Sequence, residues 1–71
     1  MSESTSNAVR RAIEAAGGPR AVAAALGISP QAVSKWPDRL PAERVLDLER
    51  LAGGAVSRHE LRPDIYPAAA A

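Results

Sequence analysis

The chain has no cysteine and a single histidine, His59. The first absence excludes a disulfide framework, a thiolate metal site and a cysteine nucleophile. One histidine cannot build the usual metal cluster, so no metal and no cofactor are expected. Long apolar runs are missing too. The longest stretch without a charged or polar side chain is Ala21 to Ile28, far short of the roughly 18 residues that span a bilayer. The first residues, MSESTSN, have neither the basic start nor the apolar core of a secretion signal. A soluble, cytoplasmic chain with no membrane partner is the expectation. There is no internal repeat and no run with strand-type alternation. At 71 residues the chain is one domain at most, with a modest core and a stability of a few kcal/mol.

A large charge excess is also lacking. The formal net charge is +1, so bulk charge does not announce a nucleic-acid partner. The distribution says more. Residues 19–36 hold Arg20 and Lys35 and no acid, whereas every other stretch mixes both signs. Catalytic groups are scarce. His59 sits between Arg58 and Glu60 in a short helical turn, and Glu43, Asp47 and Glu49 alternate with arginines in the manner of a solvated helix face. Catalysis is not expected.

What is present is a succession of helix starts and stops. A first helix is expected to open near Ser4–Ser6, to turn Val9, Ala12, Ile13 and Ala16 inward and Arg10, Arg11 and Glu14 to solvent, and to end at Gly17-Gly18. Pro19 opens a second helix with Val22, Ala23 and Leu26 on one face. Gly27 ends it, because glycine takes a left-handed cap without steric cost. Ser29 is a good N-cap and Pro30 a good first residue for a third helix, whose inner face is Ala32, Val33 and Trp36. Pro37 should stop this helix after about two turns. Asp38-Arg39-Leu40 reads as a loop. Pro41 should begin a fourth helix running to about Ala52, with Val45, Leu46, Leu48, Leu51 and Ala52 closing the core and Gly53-Gly54 ending it. Ser57 and Glu60 have capping-box spacing, flanked by Val56 and Leu61 as a hydrophobic staple. Pro63 ends that turn, Asp64 to Pro67 should run extended, and Ala68–Ala71 should be an unstructured tail beyond a single domain spanning residues 1–67.

The pair of helices in Arg20–Trp36 resembles the helix-turn-helix unit of phage Cro and repressor proteins. Small Ala23, Gly27 at the turn, Val33 and Trp36 fall at the offsets of that pattern, with Val22, Leu26 and Ile28 at its apolar positions. The whole order of elements, AIEAAGGPRAVAAALGISPQAVSKW, then LPAERVLDLERLAGG, then VSRHELRPDIYP, is similar to the small YdaS/Cro-like regulators of bacterial and prophage origin, from about Val9 to Pro67. The resemblance implies an all-α, compact five-helix, lambda-repressor-like domain that binds operator DNA as a homodimer. Two departures stand out. Pro37-Asp38-Arg39 occupies a loop that is often richer in basic residues, and Pro19-Arg20 stands where a glutamine commonly contacts a phosphate.

Read as a helix-turn-helix, the third helix would lie in the major groove of double-stranded DNA with its N-terminal half against the bases. Gln31 is the leading base reader, since its amide can pair bidentately with an adenine edge. Ser34 can bond a base or a phosphate, and Lys35 can reach a guanine edge or the backbone. Arg20, Ser29 and Arg39 are candidate phosphate contacts, Ser29 in addition to its capping role. Trp36 belongs to the core by its place on the Val33 face. Leu61, Ile65 and Tyr66 are candidates either for the core or for a dimer interface. Two functions follow as expectations. The first is a sequence-specific transcriptional regulator, a Cro-like repressor. The second is an antitoxin that neutralises a toxin protein by direct contact, since relatives have been classed in that way.

Overall fold

A computed structural model describes residues 5–67. The order is α1 (Thr5–Ala15), α2 (Pro19–Leu26), α3 (Pro30–Ser34), a 3₁₀ turn (Ala42–Arg44), α4 (Val45–Leu51) and α5 (Arg58–Leu61). Among the described residues there is no strand, and the architecture is the all-α, five-helix one expected. Residues 1–4 and the tail expected at Ala68–Ala71 lie outside the described residues. Among those described, no helix is long and apolar enough to cross a membrane.

Each inward face matches the helical period. In α1 the buried residues are Ala8, Val9, Ala12 and Ile13, and in α2 they are Val22 and Ala23. Val33 of α3, Val45 and Leu48 of α4, and Leu61 of α5 are wholly buried and meet in one cluster with Trp36, Leu40, Ala52 and Val56. α1 packs on α2, α4 and α5, while α3 is held chiefly by α2. The reading helix of the expected motif is therefore carried by a helix pair at one side of the core. The small side chain of Ala23, 2% exposed, allows that close crossing.

The boundaries follow the glycines and caps. Gly27 has φ 69° and ends α2, while the Ile28 N–H reaches back to the Ala23 carbonyl at 3.0 Å. That six-to-one bond closes a Schellman-type turn. α1 ends in the same way, with Gly18 N–H to Ile13 O at 2.9 Å and Gly17 N–H to Glu14 O at 3.0 Å. A Cβ on Gly17 would stand 3.0 Å from the Ala21 Cβ, so the α1–α2 corner is too tight for a side chain. At α5, the Ser57 N–H donates to Glu60 Oε2 at 3.0 Å in the expected capping box, and Val56 and Leu61 are both buried.

Five expectations are corrected. Leu46, expected to help close the core, is 39% exposed, because the buried face of α4 is set by Val45 and Leu48. α3 ends at Ser34, with Lys35 as its C-cap, so it is shorter than two turns. The chain leaves it through tighter turns, in which Lys35 N–H, Trp36 N–H and Arg39 N–H reach back to earlier carbonyls. Pro41 is the cap before a 3₁₀ turn and not the first residue of the fourth helix. Lacking a side-chain acceptor at that cap, the first turn tightens onto the Pro41 carbonyl, which accepts from Arg44 N–H at 3.0 Å. Residues 64–67 do not run extended: the Arg62 carbonyl accepts from Ile65 N–H at 3.1 Å and Tyr66 N–H at 2.8 Å and folds the segment into a turn. Arg11 is not simply solvated, because its Nη2 lies 3.1 Å from Glu60 Oε1.

Candidate nucleic-acid interface

The orientation of α3 is fixed before its first turn is complete. Ser29 is extended (φ −81°, ψ 149°) and its Oγ accepts from the Ala32 N–H at 3.3 Å. Pro30 follows at the first helical position, where its missing N–H is no loss. Val33 is then wholly buried and Trp36 is 3% exposed. At about 100° per residue, burying those two turns Gln31 and Ser34 outward. Both are exposed.

The structure brings three of the six expected contact residues together. Arg20, Gln31 and Ser34 line one shallow concavity with Gly17, Gly18, Pro19 and Pro30. The side chains of Gln31 and Arg20 make no hydrogen bond or ion pair among the described residues, so their donors face solvent. Ser34 is different. Its Oγ donates to the Gln31 carbonyl at 2.8 Å. A phosphate offers only acceptors, so in this conformation the hydroxyl cannot serve a phosphate. It retains lone pairs for a base amino group.

The other three lie elsewhere. Lys35, exposed at the C-terminal end of α3, is off the helix's N-terminal half. Ser29 presents the cap of α3. Arg39 is exposed in the loop beyond Trp36 and lines a separate depression with Trp36, Leu40, Arg62 and Asp64. Asp38 beside it accepts from Ser6 Oγ at 3.3 Å, and Ser6 Oγ also donates to the Pro37 carbonyl at 2.8 Å. The start of α1 thus ties down the chain just beyond α3. Neither α2 nor α3 carries an acidic residue.

Several supporting side chains had no local signal in the sequence. Arg62 donates through Nη1 to the Leu40 carbonyl at 2.7 Å and holds Asp64 through Nε at 2.9 Å and Nη2 at 2.6 Å. That fork lowers the Asp64 pKa to about 2 and raises that of Arg62. Glu49 accepts from the Arg58 backbone N–H at 2.8 Å and from its Nε at 3.1 Å. The backbone bond, then the guanidinium, holds the Glu49 carboxyl below its ordinary range. Glu60 is lowered first by the Ser57 N–H and then by Arg11. The Arg58 guanidinium also stands 5.8 Å from the centroid of the Tyr66 ring. The Ser57–Glu60 spacing is a capping-box pattern readable in advance, and Arg62 and Asp64 are two residues apart but carry no such pattern. Arg62 with Leu40, Glu49 with Arg58 and Arg11 with Glu60 are joined by the fold.

Comparison with known proteins adds two findings. A family model described as "Bacterial toxin YdaS" matches residues 9–70. A curated protein of Escherichia coli (strain K12), "Putative transcriptional regulator YdaS", is 44% identical over 59 residues, covering 79% of this chain and 60% of that protein. The chain therefore spans about 60% of the length of the curated relative it matches. No solved structure matches it.

Proposed function

The chain belongs to the YdaS family, and we propose that it is a sequence-specific DNA-binding transcriptional regulator, a Cro-like repressor acting in the cytoplasm, and not an enzyme. The observation that carries this reading is the concavity holding Arg20, Gln31 and Ser34 on the acid-free pair α2 and α3. In this reading α2 and α3 act as a helix-turn-helix, and α3 enters the major groove by its N-terminal end. Gln31 pairs with a base edge, preferentially adenine. Ser34 accepts from a base amino group. Lys35, at the end of the helix, reaches the backbone more readily than a base. Arg20 neutralises a phosphate beside the start of α2, Arg39 does so beyond Trp36, and the α3 N-terminus capped by Ser29 faces the backbone. The name of the Escherichia coli relative, with its words "transcriptional regulator", agrees with this reading.

One copy offers few base contacts, so the reading includes a homodimer on a pseudo-palindromic operator with half-sites about one helical turn apart. Selection of duplexes from a random pool by the purified chain tests it. Enrichment of a two-fold symmetric sequence is the expected result, and a bound pool that stays random would contradict it.

The word toxin in the family description favours a second reading, membership of a toxin–antitoxin pair. Here the chain acts as the antitoxin through contact with a toxin protein and can also repress its own operon. Recovery of one stoichiometric protein partner, with no DNA shift even at low salt, would select this reading over the first.

A further inference from the structure

Resting on the DNA-binding reading, we infer that Arg10 of α1 is an additional phosphate anchor, one that the helix-turn-helix alone does not supply. α1 carries two adjacent arginines, and the fold treats them differently. Arg11 is drawn to Glu60 of α5, at 3.1 Å. Arg10 is exposed and has no hydrogen bond or ion pair among the described residues. It lines a groove that also includes Glu14 of α1, Pro19 at the start of α2, Ser34 at the end of α3 and Pro37 beyond it.

Pro19 and Ser34 also line the concavity that holds Arg20 and Gln31. The two depressions share those residues, so the surface runs without a break from Gln31, past Ser34, to Arg10. A duplex that receives Gln31 in its major groove has a sugar-phosphate strand on either side of the reading helix. Arg20 stands beside the beginning of α3 and Arg10 on the groove beside its end. Glu14, one turn along α1 from Arg10, is a carboxylate on this groove. No ion pair joins it to Arg10, so the guanidinium stays available to an anion. Arginine suits the task because its planar fork matches phosphate oxygens and remains charged at any working pH.

The test needs no operator, because phosphate contacts are independent of sequence. Binding of a fluorescent random-sequence duplex is titrated over a series of salt concentrations for the full chain, for Arg10→Ala and for Arg50→Ala. Arg50, whose Nη2 stands 4.0 Å from Asp47 Oδ1, is the control for lost charge. It lies on α4 outside both grooves, with its side chain 80% exposed, and its loss removes the same charge. Arg10→Ala should flatten the plot of log affinity against log salt by roughly 0.9 per bound protomer, with Arg50→Ala unchanged. Equal slopes for the two variants would overturn the anchor while leaving DNA binding intact. A wild-type chain that fails to bind the duplex at low salt would overturn both.

Discussion

Ser29 and Gly27 fix the angle at which α3 leaves α2, and each does so through one feature. Ser29 contributes a hydroxyl to the Ala32 N–H. Ser29→Ala should lower the unfolding free energy by about 1 kcal/mol, measured by urea denaturation. Gly27 contributes a backbone at φ 69° with open space around its Cβ position. The cost of Gly27→Ala is therefore conformational strain alone, about 1–2 kcal/mol, with no steric clash to add to it. A substitution at Gly17 should cost more than at Gly27, since the Ala21 Cβ stands in the way. Both caps could be read in the sequence because their chemistry lies within four residues. Gln31 was legible for a similar reason: its place two residues after the cap puts it outside once Val33 turns inward. The single-donor commitment of Ser34 was not legible. It depends on which rotamer the hydroxyl takes toward the Gln31 carbonyl.

At the scale of the elements, the contacts divide into an apolar seam and a set of carboxylate struts. Leu48 on α4 is wholly buried, and Leu48→Ala should cost about 2–5 kcal/mol. Against a stability of roughly 4–10 kcal/mol for a chain of this size, thermal unfolding should show a large loss of the folded fraction. The struts are Glu49 to Arg58, Glu60 to Ser57 and Arg11, and Asp64 to Arg62. All three carboxyls have folded pKa values below their ordinary ones. Their contribution is therefore present above about pH 4.5 and is lost as pH falls toward the folded values, the last of them near pH 2 for Asp64. The melting midpoint should fall steadily between pH 5 and pH 2, and Asp64→Asn should flatten the lower part of that fall. An unchanged pH profile in Asp64→Asn would show that the Arg62 fork does not favour the folded state. The helix ends of α1, α2 and α5 were legible from glycines and caps. The 3₁₀ turn at Ala42–Arg44, the burial of Leu40 and the turn after Arg62 were not. The two turns rest on backbone bonds within four residues that no side-chain signal marks, and the segment at Leu40 is held from a distance, by Arg62 reaching 22 residues back to its carbonyl.

At the scale of the whole molecule, the DNA-binding reading asks a nearly neutral chain to hold a polyanion through the acid-free helices α2 and α3. That arrangement calls for a second copy. Of the apolar residues near the C-terminus, Leu61 is committed to the core and Tyr66 is half-buried, while Ile65 is 42% exposed. Ile65→Lys should dissociate the proposed dimer in sedimentation without lowering the melting temperature much; an unchanged dimer would move the interface elsewhere. The central claim, that the start of α3 reads bases, is tested most directly by Gln31→Ala. The Gln31 side chain is exposed and makes no hydrogen bond among the described residues, so the fold should survive the change. The measurement is the ratio of affinities for the sequence selected by the wild-type chain and for random duplex, at one salt concentration. The ratio should fall by roughly 5- to 150-fold per base pairing lost, the equivalent of about 1–3 kcal/mol, with affinity for random duplex unchanged. A Gln31→Ala chain that discriminates as well as the wild type would contradict the account.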